Sequence, residues 1–577
     1  MSQSPFRPLL AIARISAVFI PLAFAHAGAT VHLVHASQAK AAGCDYYVIT
    51  VAAFMPQAER LAALRHTASP EVAKQPCIAK MEDVYKDYAP RQGKWTSLQD
   101  FLKAAFVSSP SLAHVALLGS ASFDPASPDD RVPTYTQLIR SLTRFSLDTV
   151  YYDTLTSDDV YSAYFDTSVY DQPGYPMAYA VGRIPARTAA QADAYLDKLE
   201  AYETHFAYGP NAFTYGYLND DDWQHGNRFD VEPIWNMPAE HLDLWDSLPV
   251  KPFVRRMLSI EFPMMPDWTK PKAKDSTLGL INSGPARVYF IGHGHPTQLT
   301  DEKIYESPAD LPRLAAKRLQ PIISMLACTT ARFAQHDTES MGVDFLFHPN
   351  GAVAFLGGTI PTYPGPNKEL FRAWDRLTEK GGTLGGTFAR AKAASIADIR
   401  NNSAYVVLGD PALTVHAPVV DLAPASGSNP GSLLLNGAGA VGDSAYFQLL
   451  QIDSIEYNPI LNPENSAQRN GKYPRERVLG EGRAALGAGG SVTFALPRAE
   501  SPDAAAVKVM TWNTKGMRYG HFPLSALGVA IRPVAKGMGP GSHPGYRLML
   551  RGERLVLEGN GRRIGLDGRA EALPSQR

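Results

Sequence analysis

Short apolar runs, each followed by a segment of helical pattern, recur through most of this chain, and no other feature restricts its fold so strongly. "DYYVIT" leads into "AERLAALRHTA", a second extended run "CIAKMEDVY" begins at Cys77, and the amphipathic "LQDFLKAAFVS" leads into "HVALLG". Strands separated by helices imply right-handed crossovers and a mostly parallel sheet. A long helix is expected from about Thr188, within "VGRIPARTAAQADAYLDKLEAYE". The pattern restarts at residue 213, where "FTYGYLNDDDW", "RVYFIGHG", "PIISMLAC" and "GAVAFLGGT" read as strands, with a helix-like stretch from about Thr330 to Phe347. "KELFRAWDRL" and "GGTFARAKAAS" supply further helices, and "SAYVVLGDPAL" closes this half. Two successive α/β units read as two packed subdomains, 45–205 and 206–415, rather than one very wide sheet.

Composition changes after residue 415. "APASGSNPGS" marks a linker over 416–432 by its Pro, Gly and Ser content. Beyond it, strand-like runs such as "AYFQLLQI", "SVTFALP", "AVKVMTW", "RLMLRG" and "RLVLEG" are separated by turn residues, so 433–570 is expected to be a small all-β, immunoglobulin-like sandwich. At the other end, Arg7 and Arg14 precede an apolar run, Ile15 to Ala25, and Ala25-His26-Ala27 supplies a small-x-small tripeptide. Residues 1–27 therefore read as a signal peptide and 28–44 as a short N-terminal segment, which implies a secreted or periplasmic protein. The apolar run is too short for a bilayer-spanning helix, and no later segment is long and apolar enough to be one.

The 55 Lys and Arg residues balance 56 Asp and Glu, and without a long basic run nothing calls for nucleic acid or an anionic membrane. An exported chain with three cysteines leaves one unpaired. If their strands are neighbours, Cys44 and Cys77 are candidates for a disulfide. Cys328 then remains, either buried or kept for its reactivity.

Reactive groups in α/β sheets gather at the carboxyl ends of parallel strands. His293 follows the run "RVYFI" between two glycines, and Cys328 follows "IISMLA" just before an expected helix start at "TTARF". If the two strands are neighbours, both side chains emerge at one rim. There an imidazole can take the thiol's proton and a helix start can favour the thiolate, while the amides of Gly294 and Cys328 can stabilise an oxyanion. A bland alternative is a hydrogen-bonded structural histidine and an inert core cysteine. A metal alternative is zinc held by His293 and His295 with Cys328 or His336, though no carboxylate follows at close spacing.

In "YFIGHG" and "MLACTTARF", in that order, and with "GAVAFLGGT", "VGRIPARTAAQADAYLDKLEAYE" and "VVLGDPAL", the chain resembles the gingipain-type cysteine peptidases, which share a caspase-like fold. The resemblance runs from about residue 45 to 415. It implies Cys328 as nucleophile, His293 as general base and backbone amides near Gly294 and Cys328 as oxyanion donors. It also implies an acidic residue that orients the histidine. Asp221 fits best, with Asp220 or Asp222 as alternatives, and the competing reading is that these aspartates cap a helix or bind calcium. Ala331 stands where the family has glycine, and His295 where it has a small residue, departures that bear on specificity. Asp230 and Glu232 are acidic residues available to a substrate pocket. The acidic loops "FDPASPDD" and "TSDDVYSAYFD" lack calcium-loop spacing and read equally well as solvated turns.

The expectation is thus an exported cysteine endopeptidase acting on protein or peptide substrates through an acyl-enzyme. It requires no cofactor and leaves room for a structural calcium; its oligomeric state is not readable. Two alternatives remain: a transpeptidase that uses the same dyad, and a catalytically silent binding protein on the same fold.

Overall fold

The computed structural model describes residues 32–33, 43–69, 71–140, 152–162, 176–220, 248, 250–395, 399–456 and 472–527, with the backbone of short strands between 547 and 572. The signal-peptide reading of 1–27 lies outside the described residues, as do Asp221, Asp222, Asp230 and Glu232.

The fold is α/β, built on one large sheet. Its strands are β1 (His32–Leu33), β2 (Tyr46–Thr50), β3 (Pro76–Lys80), β4 (His114–Leu118), β5 (Ala180–Ile184), β6 (Thr214–Asn219), β7 (Phe253–Leu258), β8 (Arg287–Ile291), β9 (Ile322–Leu326), β10 (Ala354–Gly358) and β11 (Tyr405–Leu408). They lie in the order β1-β3-β2-β4-β5-β11-β10-β9-β8-β6-β7. All neighbouring pairs are parallel except β10 with β11. Most central strands are buried along their whole length, with helices over both faces, which is why they read as unbroken apolar runs.

Both subdomains are present, but the expectation that they would not form one wide sheet is corrected. β11 and β5 meet through a single register pair, Leu408 with Arg183, and so join the halves edge to edge. Gly182 permits this approach, since a β-carbon there would stand 2.6 Å from the Gly409 carbonyl oxygen. A buried ion pair crosses the seam, and others brace the first half beside it. Asp410 accepts from Arg65 Nε at 2.6 Å and from the Tyr46 hydroxyl at 3.1 Å, and Arg65 also reaches Glu203 at 2.7 Å. Arg183 makes a two-point contact with Asp158, at 2.7 and 2.8 Å, and donates to the carbonyls of Gly119, Val132 and Pro133.

The helices include α1 (Met55–Ala68), α2 (Lys94–Ser108), α3 (Ala189–Thr204), α4 (Pro271–Asn282), α5 (Met341–Phe347), α6 (Pro364–Leu377) and α7 (Leu384–Ala394). Thr188 caps α3 by accepting from the Gln191 amide. "CIAKMEDVY" is extended only to Lys80; Met81–Asp87 is helical, burying Met81 and Val84 at helical spacing. No helix among the described residues is long and apolar enough to cross a membrane. Cys44 and Cys77 form a disulfide at the starts of β2 and β3, with their Cα atoms 5.9 Å apart.

After residue 416 the described elements are strands and single 3-10 turns. Val419–Val420, inside the stretch read as a linker, pairs with Arg518–Tyr519, and Leu422 enters the core of the C-terminal module. A five-stranded sheet contains Ser444–Glu456, Lys472–Ala485, Ala505–Trp512 and Met517–Pro523. The pair Ser432–Leu435 and Val492–Ala495 supplies Leu433, Leu435 and Phe494 to the same core as Leu449, Val507 and Val509.

Candidate active site

β8 and β9 run in register from Arg287 opposite Ile322 to Ile291 opposite Leu326. His293 and Cys328 each lie two residues beyond that last pair, so both leave the sheet at the same level of its carboxyl edge. The other neighbour of β8 is β6, whose Asn219 stands opposite Ile291. This brings buried Asp220 beside the histidine loop. Its amide donates to the Ile291 carbonyl at 3.0 Å, and its Oδ2 accepts from the His293 amide at 2.8 Å. Asp220 is the member of the aspartate triplet that the described residues place at this loop.

The glycines around His293 are required by close approach. A β-carbon on Gly292 would lie 2.3 Å from that of Asp220. On Gly294 it would lie 2.7 Å from the Cys328 carbonyl oxygen and 2.8 Å from the Ala327 β-carbon, so the histidine loop rests directly on the cysteine backbone. The loop then folds back on itself through bonds made by the residues on either side of Gly294: Thr300 N to His293 O at 3.0 Å and His295 N to Gln298 O at 2.9 Å. The Gly294 amide takes no part in that pairing.

At the cysteine the chain turns sharply. Thr329 has φ of 52°, a conformation that β-branched residues rarely adopt and one concentrated at functional sites. The expected helix start at "TTARF" is absent, and so is the helix-like stretch from Thr330; the helix here is only α5, which begins at Met341. The amides that would have opened a helix are bonded elsewhere: Thr329 to the Ile360 carbonyl at 3.2 Å and Ala331 to that of Gly358 at 3.0 Å, both in the loop and strand end of β10. The helix-terminus argument for a stabilised thiolate therefore falls. Cys328 is half-buried, and its thiol donates to the Thr362 carbonyl at 3.6 Å. Burial pushes the thiol's pKa up, and the charge of Asp153 acts in the same direction. Both effects disfavour the thiolate.

The alternatives fare differently. His336 faces Asp129 at 3.6 Å, and among the described residues no group of three or more His, Cys, Asp or Glu converges as a metal centre would. In the acidic loops, several described carboxylates are ion-paired rather than merely solvated: Asp158 is paired with Arg183, Asp159 with Lys392 at 2.6 Å, and Asp130 with Lys94 at 3.3 Å. Phe333 is buried beneath the Arg183 guanidinium, 5.0 Å from its ring centroid, which ties the segment after the cysteine to the seam. Sequence reasoning missed Thr362 and Asp153. Asp153 lies on a polar antiparallel hairpin, Tyr135–Arg140 with Tyr152–Ser157, which reads as loop because it lacks an apolar run.

Among solved structures, the chain is similar to the complex of the Porphyromonas gingivalis RgpB pro- and mature domains, at 13% identity over 82% of this chain and 99% of that one, with a TM-score of 0.48. It is also similar to the Arg-specific cysteine proteinase gingipain R, at 13% identity over 83% and 98%, with a TM-score of 0.48. Dimeric latent PorU from Porphyromonas gingivalis matches at 13% identity over 88% and 44%, with a TM-score of 0.35. No curated protein matches the sequence. The model of peptidase family C25 matches residues 39–416, which include the ends of β6, β8 and β9 that build the site; the chain belongs to peptidase family C25 and is a cysteine-type peptidase.

Proposed function

We propose that this protein is an exported endopeptidase in which Cys328 is the nucleophile and His293 the general base. His293 takes the thiol proton as sulfur attacks the scissile carbonyl, and the amides of Gly294 and Cys328 stabilise the oxyanion. The tetrahedral intermediate collapses with loss of the amine, to which His293 returns the proton. Water, deprotonated by the same imidazole, then hydrolyses the thioester and frees the cysteine. Thiol, imidazole and backbone amides suffice for this chemistry, so no cofactor enters it.

The observation that carries this reading is the matched register of β8 and β9, with Gly294 seated on the Cys328 carbonyl. The raised thiol pKa favours base-assisted attack over a preformed thiolate. Asp220 holds the histidine loop through its backbone amide. The test is a peptide-library cleavage profile of wild type beside Cys328→Ala, with an added amine nucleophile in a parallel arm. Cleavage by wild type alone is expected, with hydrolysed rather than amine-capped products. Equal cleavage by both proteins contradicts the assignment. Export is checked by N-terminal sequencing of the mature protein, expected to begin near Gly28.

A further inference from the structure

Arg332 lies four residues beyond Cys328, in the turn that follows β9. Its Nε is shut off from solvent without a hydrogen-bond partner, and among the described residues its guanidinium makes no ion pair. Buried Lys198 also lacks a carboxylate but donates to the carbonyls of Leu346 and His348, at 2.6 and 2.9 Å, and four other buried cations of the catalytic region are ion-paired. Arg65, Arg183, Arg287 and Lys392 are each matched by a carboxylate, at 2.6, 2.7, 3.0 and 2.6 Å. An unmatched, half-buried guanidinium is costly, since desolvation is not offset by a partner. Here the cost falls on the same rim as the proposed nucleophile.

The surroundings shape a recognition site. The Arg332 Cζ stands 5.7 Å from the ring centroid of Phe123, which follows β4 and whose amide donates to the Ala334 carbonyl at 3.1 Å. A ring packed against a guanidinium steadies its planar fork and leaves its outward donors available. His295, exposed on the loop after β8, lies within electrostatic reach of Arg332. Asp153 and Asp337 are also within reach, but neither forms an ion pair with it. They temper the positive charge without using its donors.

We infer that Arg332 is a specificity-determining residue that reads a carboxylate side chain flanking the scissile bond, so that this peptidase prefers substrates with an acidic residue there. The inference rests on Cys328 being the nucleophile. A carboxylate can accept two parallel N–H bonds from the guanidinium, and its arrival supplies the partner that the protein withholds. His295, within electrostatic reach of Arg332, gives a further donor.

The test uses matched peptides that differ only beside the scissile bond, with acidic, amide or basic side chains, against wild type, Arg332→Gln and Arg332→Lys. For wild type, kcat/KM for the acidic peptide is expected to exceed that for its amide counterpart by about 10- to 100-fold. The ratio falls towards one in Arg332→Gln and is partly kept in Arg332→Lys. A basic preference, no preference, or an acidic preference untouched by Arg332→Gln overturns the inference. A second readout needs no peptide hydrolysis: the rate of Cys328 alkylation by iodoacetate relative to iodoacetamide. The ratio is expected to drop by about 10-fold in Arg332→Gln, and an unchanged ratio overturns the inference. Protein that cleaves no peptide would thus count against the peptidase reading, while the alkylation ratio still decides the role of Arg332.

Discussion

At the scale of single residues, the account turns on a cysteine whose thiolate is disfavoured and that needs a base. His293→Ala is expected to lower kcat/KM by about 10²- to 10⁴-fold, the usual contribution of a positioned acid–base group, with the thermal midpoint little changed; steady-state kinetics and a melting curve check both. Because burial raises the pKa of Cys328, its thiolate fraction grows as pH rises through and beyond the ordinary cysteine range. Iodoacetamide labelling of Cys328 in His293→Ala should therefore keep climbing above about pH 9 rather than level off below it. A plateau near neutrality would mean that a preformed thiolate survives without the histidine. Gly294→Ala places a β-carbon 2.7 Å from the Cys328 carbonyl oxygen, so the histidine loop must shift. An overpacking cost of about 1–3 kcal/mol is expected, with a larger fractional loss in kcat than in folded protein.

At the scale of elements, β8 shows how a strand is held so that its end can carry chemistry. Arg287 opens the strand and meets Asp375 of α6 at 3.0 Å, while the Tyr289 hydroxyl donates to the same carboxylate. Asp375→Ala leaves a buried guanidinium uncompensated and is expected to cost about 3–5 kcal/mol in denaturant unfolding; a loss under about 1 kcal/mol would show that the pair does not anchor the strand. The strands that bear the site were legible because burial on both faces writes them as plain apolar runs, "RVYFI" and "IISML" among them. β7 was missed because it borders the sheet, and "FVRRML" carries two arginines on its more open middle. α4 was missed although Pro271 at its start and the buried Ala273, Thr277, Leu278 and Ile281 give it a helical face. The helix expected after Cys328 failed for a non-local reason: Thr329 and Ala331 bond to residues near β10, which no local pattern reveals.

At the scale of the whole molecule, the motifs that pointed to the family divide into chemistry and architecture. "GHG" and "ACTTARF" meet at the rim, whereas "VGRIPAR" and "VVLGDPAL" supply the seam: the Arg183 carbonyl accepts from the Gly409 amide at 2.7 Å, the Arg183 guanidinium covers Phe333, and Asp410 pairs with Arg65 across the halves. The C-terminal module is joined to this frame as well. Tyr519 stacks edge-on with Phe213 at 4.9 Å and Phe253 at 5.6 Å, Tyr446 meets Phe253 at 5.2 Å, and buried Lys508 donates to the Pro252 carbonyl at 2.7 Å. Tyr519→Ala is expected to destabilise the protein by about 3 kcal/mol or more, and calorimetry should show the module and the catalytic region melting less cooperatively than in wild type. A wild-type-like single transition would mean that this contact does not couple them. The most direct measurement of the central claim is mass spectrometry of the mature protein, acid-quenched during turnover of a peptide ester. An adduct of the acyl mass should appear on the fragment containing Cys328 in wild type and be missing from Cys328→Ala. Turnover without that adduct in wild type, or the same adduct in the mutant, would contradict it.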